Sequence, residues 1–122
     1  MNLVHHHLIC QAQVSVPELS KEDLINFLLD LNTEIKMEVL IDPVVKLSKY
    51  NAWTGLLGIV TSHISFHYWI DKKLLQIDIY SCKDFDKEKA ISFINSFWNF
   101  KSKKVLFIDR EEGADFKIEK IS

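Results

Sequence analysis

The stretch Thr61-Ser62-His63-Ile64-Ser65-Phe66-His67-Tyr68-Trp69, followed by Tyr80-Ser81-Cys82, gathers hydroxyls, two imidazoles and a thiol into a span that otherwise reads as apolar β-strand. A strand pair built only for packing would fill such positions with Val, Ile or Thr. These residue types can supply a nucleophile, a base and an acid, so the span is a candidate site. Each group also has a plainer reading. A serine in a strand is ordinary, and a cysteine such as Cys10 or Cys82 is commonly a small buried hydrophobe. His63 and His67, at i and i+4, would share a helix face as metal ligands, but their Ile, Phe, Tyr and Trp neighbours argue for a strand. With no Cys-x-x-Cys and no carboxylate cluster nearby, no metal is assigned. His5 and His7 share a strand face and fit a sheet-face or dimer-interface role better than a metal site.

The chain of 122 residues reads as one domain, residues 1–122, able to bury a core without disulfide or metal staples. Its 48% hydrophobic and 26% charged residues are ordinary for a soluble globular protein. A net charge of −2 gives no electrostatic footprint for nucleic acid. No apolar run is long enough to span a bilayer, and the N-terminus lacks the pattern of a secretory signal. Two cysteines are too few for a disulfide scaffold, so reduced thiols and a cytoplasmic location are expected.

The elements that must position the candidate residues follow from periodicity. Residues 3–14 read as a strand. Ser20, with Glu22 and Asp23 behind it, starts a helix over roughly 20–32 whose buried face is Leu24, Phe27, Leu28 and Leu31. Residues 36–41 and 44–48 read as strands around Pro43, and 54–61, 63–70 and 73–82 as three more, with a hairpin turn at Asp71-Lys72-Lys73. In the last of these, Leu75, Ile77 and Ile79 point one way, and Gln76, Asp78, Tyr80 and Cys82 the other. Asp86 caps a second helix with Ala90, Ile91, Ile94, Phe97 and Trp98 on its buried stripe; Phe93 and Phe100 also read as packing residues. Residues 104–109 form the final strand, and the tail after Glu111 reads as soft, with Glu111-Glu112 solvated. The order β-α-β-β-β-α-β predicts a two-layer α/β sandwich: a mostly antiparallel sheet with two helices on one face. The other face, which carries Cys82, must be buried by a partner or shaped into a site, so a homodimer is expected.

Ser62 to Trp69, followed by Asp78-Ile79-Tyr80-Ser81-Cys82, resembles the bacterial and archaeal S-adenosylmethionine decarboxylases. That family carries Ser-His-hydrophobic-Ser/Thr-hydrophobic-His-x-Trp, then a strand ending in Asp, two residues, Thr/Ser and Cys. His7-Leu8-Ile9, the helix after it and the helix start from Asp86 to Ala90 fall in the family order, so the resemblance covers about residues 5–110. It implies a proenzyme that cuts its own backbone between Thr61 and Ser62. The serine hydroxyl forms an ester with the preceding carbonyl, β-elimination releases the upstream chain, and hydrolysis leaves a pyruvoyl group. That group forms a Schiff base with S-adenosylmethionine and accepts the electrons left when CO2 departs; the product serves spermidine synthesis.

The resemblance also assigns roles. Ser62 matches the pyruvoyl precursor, His67 the base that removes its Cα proton, and Cys82 the acid that reprotonates the substrate carbon. Thr54, eight residues before Ser62, matches a serine that assists processing. Asp71 stands where the family commonly has a glutamate holding the ribose hydroxyls. Tyr50 is the aromatic residue nearest the position that stacks on adenine. Trp69 has two readings, stacking on a ligand or core packing. The chain departs from the family pattern at Thr61, where Glu or Lys is usual, and at Tyr50-Asn51-Ala52-Trp53, which replaces a Pro-Gly loop. These departures keep two alternatives open: a pyruvoyl-dependent decarboxylase of arginine or ornithine, and a non-processing paralogue that regulates or binds a ligand.

Overall fold

The computed structural model describes residues 3–121. Strand β1 (His6–Val14) is followed by helix α1 (Lys21–Glu34), strands β2 (Val39–Leu47), β3 (Ala52–Ile59), β4 (Ser62–Trp69) and β5 (Leu74–Ser81), helix α2 (Lys87–Trp98), and strands β6 (Phe100–Asp109) and β7 (Lys117–Ile121). All seven strands form one antiparallel sheet in the order β2-β3-β4-β5-β1-β6-β7. With both helices on one face, this is the two-layer α/β sandwich expected from the sequence.

Helix α1 begins where its sequence says it should. The Ser20 hydroxyl accepts from the Asp23 N–H, and the Asp23 carboxylate accepts from the Ser20 N–H, which satisfies two otherwise orphaned donors. The Asp86 carboxylate caps α2 by accepting from Lys89 N–H, and Asn99 ends it in the left-handed region at φ 54°. The core lies between these helices and the inward residues of the central strands: Leu8, Cys10 and Ala12 on β1, Ile64, Phe66 and Tyr68 on β4, and Leu75, Ile77 and Ile79 on β5. Trp98, fully buried, sets its ring edge-on to Phe27, Phe66 and Tyr68, tying both helices to β4. Phe93, Phe97 and Phe100 pack against this core while partly exposed.

The pairs 36–41 and 44–48 are one strand, not two. Among the described residues β2 pairs only with β3, so the missing N–H of Pro43 costs no ladder bond, and register shifts between Val39 and Val44 absorb the break. The last helix-adjacent strand also starts earlier than expected, at Phe100. The tail read as soft contains β7, which adds to the free edge of β6 between Val105 and Asp109. Its backbone pairing, rather than burial, makes it a strand: four of its five residues are exposed.

Gly55 on β3 admits the ring of Phe66 from β4 directly over its backbone, in the space where a Cβ would stand. Phe66 is buried against Phe27 and Trp98 and cannot swing aside. Gly55→Ala should therefore lower stability by about 1–3 kcal/mol, the usual cost of overpacking. Urea unfolding would register this as a lower midpoint with an unchanged slope.

Candidate active site

Strand register arranges the uncovered face in rows. Gly58, His63, Tyr80 and His7 form one row across β3, β4, β5 and β1; Leu56, Ser65, Asp78 and Ile9 form the next; Thr54, His67, Gln76 and Gln11 the third. Ser62 and Cys82 lie at the end beyond the first row. The tips of the β2–β3 and β4–β5 hairpins lie at the other end.

At the first end, Ser62 follows a tight turn and opens β4. Its hydroxyl donates to the carbonyl oxygen of Thr61, the residue that precedes it. The same oxygen accepts the N–H of Cys82 at 3.1 Å. Ser62 Oγ is 3.7 Å from Cys82 Sγ, and the Tyr80 hydroxyl lies 4.0 Å from that sulfur. A serine oxygen thus rests against the peptide group that it would attack, and a backbone donor is aimed at the oxygen where negative charge would build. The Thr61 side chain is anchored on the other side: its hydroxyl shares a 2.9 Å hydrogen bond with buried Ser81, which also accepts Lys83 N–H. The hydrogen bond from Ser62, followed by those from Tyr80 and His5, holds the Cys82 thiol below its ordinary range against the opposing effect of desolvation. Cys10, by contrast, is buried in the core, where desolvation pushes its thiol up to about 11.

At the other end, the Thr54 hydroxyl and His67 Nδ1 are 3.0 Å apart, as their cross-strand pairing dictates. His67 is five residues from Ser62 along a strand, a separation of roughly 16 Å at the usual rise of about 3.3 Å per residue. Within one chain the structure does not bring His67 to Ser62. Thr54 and His67 instead share their end with Tyr50, Asp71 and Trp69. The Asn51 side-chain amide donates to the Asp71 carboxylate at 2.9 Å, which joins the two hairpin tips, and Tyr50 is exposed under the Lys49 ammonium. Trp69 belongs to the uncovered face, not the core; its indole N–H donates to Gln76 at 3.0 Å.

Between the two ends runs a polar network that the sequence reading did not single out. His7 Nε2 donates to the Asp78 carboxylate at 2.8 Å, Ser65 donates to the same carboxylate, and His63 Nε2 stands 3.5 Å from it. A cavity of about 260 Å³ opens over His7, Ser65 and Asp78 and is lined also by His67 and Gln76. The strand parity of Asp78 was the available signal: a carboxylate in mid-strand needs partners on its own face. The pairing of His5, expected on the sheet face or at a dimer interface, with Glu112 did not follow from the sequence, nor did the placement of Arg110. Glu112, read as solvated, accepts from His5 Nε2 at 2.9 Å, and the Arg110 guanidinium lies 4.4 Å over the Tyr80 ring.

The family model for S-adenosylmethionine decarboxylase matches residues 6–111. The chain is 29% identical over 97 residues to the S-adenosylmethionine decarboxylase proenzyme of Pyrococcus abyssi, covering 77% of this chain and 69% of that protein. It is likewise 29% identical over 98 residues to the proenzyme of the same description from Archaeoglobus fulgidus, covering 78% and 88%. In fold it is similar to the crystal structure of the adenosylmethionine decarboxylase of Aquifex aeolicus, with a TM-score of 0.77 over 94% of this chain and 99% of that one, at 21% identity.

Proposed function

This chain belongs to the S-adenosylmethionine decarboxylase family, and from that premise we propose that it is made as a proenzyme, cut by its own Ser62. The cut enzyme decarboxylates S-adenosylmethionine and so prepares the aminopropyl donor for spermidine synthesis. The observation that carries this reading is the Ser62 hydroxyl lying on the Thr61 carbonyl oxygen, with the Cys82 N–H on the same atom.

Processing follows from those contacts. Ser62 Oγ bonds to the Thr61 carbonyl carbon, its proton passes to the Ser62 nitrogen, and the peptide C–N bond breaks to leave an ester. The Cys82 N–H stabilises the charge on the Thr61 oxygen during attack. A base then removes the Ser62 Cα proton, the ester oxygen leaves with the upstream chain as a carboxylate ending in Thr61, and water replaces the nitrogen, which departs as ammonia. The resulting pyruvoyl carbonyl, covalently part of the chain at position 62, supplies the electron sink for decarboxylation. Cys82 returns a proton to the substrate Cα.

The base is His67, positioned by Thr54, and the separation along β4 means that a second copy of the chain supplies it. Two copies packed through their uncovered sheet faces about a two-fold axis bring Thr54 and His67 of each to Ser62 and Cys82 of the other. Ile9, Val44 and Leu56, exposed on that face in one chain, become buried in such a homodimer. Tyr50 and Asp71 come with His67: the phenol ring stacks on the adenine and the carboxylate accepts from the ribose hydroxyls, with Trp69 alongside.

His67→Ala chains should stay largely uncut alone. Co-expressed with Ser62→Ala chains, they should be cut in mixed dimers, because each such dimer contains one complete pair of Ser62 and His67. A tagged His67→Ala chain that is cut no further with this partner than alone would exclude the composite site. For the substrate, label should leave as CO2 from carboxyl-labelled S-adenosylmethionine. Faster release from labelled arginine or ornithine would overturn that choice.

A further inference from the structure

The segment before β1 brings another imidazole to the thiol. Val4 N–H donates to the Cys82 carbonyl at 2.9 Å, and Arg110 N–H donates to the His5 carbonyl at 2.8 Å, so the backbone at His5 is clamped between the ends of β5 and β6. The His5 side chain, largely covered at 20% exposure, donates Nε2 to Glu112 at 2.9 Å, and the backbone bonds on either side of it keep the residue next to Cys82, whose thiol it helps to lower. A carboxylate thus orients an imidazole in the neighbourhood of a sulfur. Among the described residues, the other charged or titratable groups at this place are the Tyr80 hydroxyl, the Arg110 guanidinium over the Tyr80 ring, and the His7 and His63 rings that pack against Tyr80. Asp84 and Asp109 face His6 instead.

We propose that His5, oriented by Glu112, is a positioning residue for Cys82: it stabilises the thiolate left by proton donation and returns a proton to it. This rests on the reading of Cys82 as the proton donor. The Cys82 S–H bond breaks as its proton moves to the substrate Cα, and the electron pair stays on sulfur. The His5 imidazolium then gives its proton to that sulfur, becomes neutral, and is reprotonated from water. The bond to Glu112 favours the imidazolium beforehand and holds His5 above its ordinary range. Ser62, first among the groups that steady the thiolate in the uncut chain, loses its hydroxyl on processing. In the cut enzyme that duty falls to Tyr80 and His5.

The test is the pH profile of iodoacetamide alkylation at Cys82, read by mass on the cut enzyme, together with kcat, for wild type, His5→Gln and Glu112→Gln. Cys10 does not compete, being buried with its thiol pushed up to about 11. Glu112 is exposed, so its replacement leaves the fold intact. Both variants should be cut normally and should alkylate about tenfold more slowly at neutral pH, with the profile moved to higher pH. An unchanged alkylation profile in both variants overturns the role of His5, even if turnover falls. A shifted profile beside a Cys82→Ala enzyme that turns over at the wild-type rate instead overturns the proton-donor reading, and the relay with it.

Discussion

Ser62→Ala leaves the chain at full length, with no carbonyl terminus and no CO2 release. The loss is complete rather than partial, because in the proposed chemistry one residue supplies both the nucleophile of processing, its Oγ, and the carbon that becomes the carbonyl of the electron sink, its Cα. Alanine removes the hydroxyl that lies on the Thr61 carbonyl. The other groups at the site, the Cys82 N–H on that carbonyl and the Thr61–Ser81 hydrogen bond, remain. The fold is undisturbed, since Ser62 opens β4 at the sheet's end and is only half-buried. Gel mobility of the purified variant, with a carbonyl reagent and a label-release assay, reads all three results. Cleavage at the normal position in this variant would show that another group is the nucleophile.

Cys82→Ala gives the second large effect and separates the two stages of the chemistry. The cut proceeds, because the Cys82 contribution to it is a backbone N–H that alanine keeps. Turnover then falls by roughly 10²–10⁴-fold, the usual worth of a positioned acid. The pH dependence has a definite sign. A thiol must be protonated to donate, so the rate falls as pH rises through its titration. Contacts with Ser62, Tyr80 and His5 lower that titration in the uncut chain against desolvation, and the first and largest of them is lost on cutting, so the fall begins at higher pH than the titration of the thiol in the uncut chain. The residual activity of Cys82→Ala should lack this limb. A variant that retains wild-type turnover and the same limb would exclude Cys82 as the donor.

The helices were legible from caps and periodicity: Ser20 with Asp23, Asp86 with Lys89, and the buried stripes behind them. The central strands were legible because alternation survives where one face is a core. The sheet's edges were not. Pro43 reads as a break until the strand is known to lie at an edge, and Lys117–Ile121 carries too little apolar content to announce a strand formed by backbone pairing.

At the site, the motif gave residue types and spacing along the chain, which is enough to pair Ser62 with Cys82 across β4 and β5. It could not tell that His67 is far from Ser62 within one chain, since the resemblance assigns both to one reaction. Strand rise alone separates them, and it becomes informative once β4 is known to run unbroken from Ser62 to Trp69. The pairing of His5 with Glu112 was invisible for a different reason. They are 107 residues apart and meet only because β1 lies between β5 and β6.

The most direct test of self-processing is an intact mass spectrum of the freshly expressed wild-type chain, repeated after long incubation. Two fragments are predicted, residues 1–61 ending in a free carboxylate and residues 62–122 beginning with a pyruvoyl group. A single chain that keeps the full mass throughout would contradict self-cleavage at Thr61–Ser62 and identify the protein as a non-processing relative.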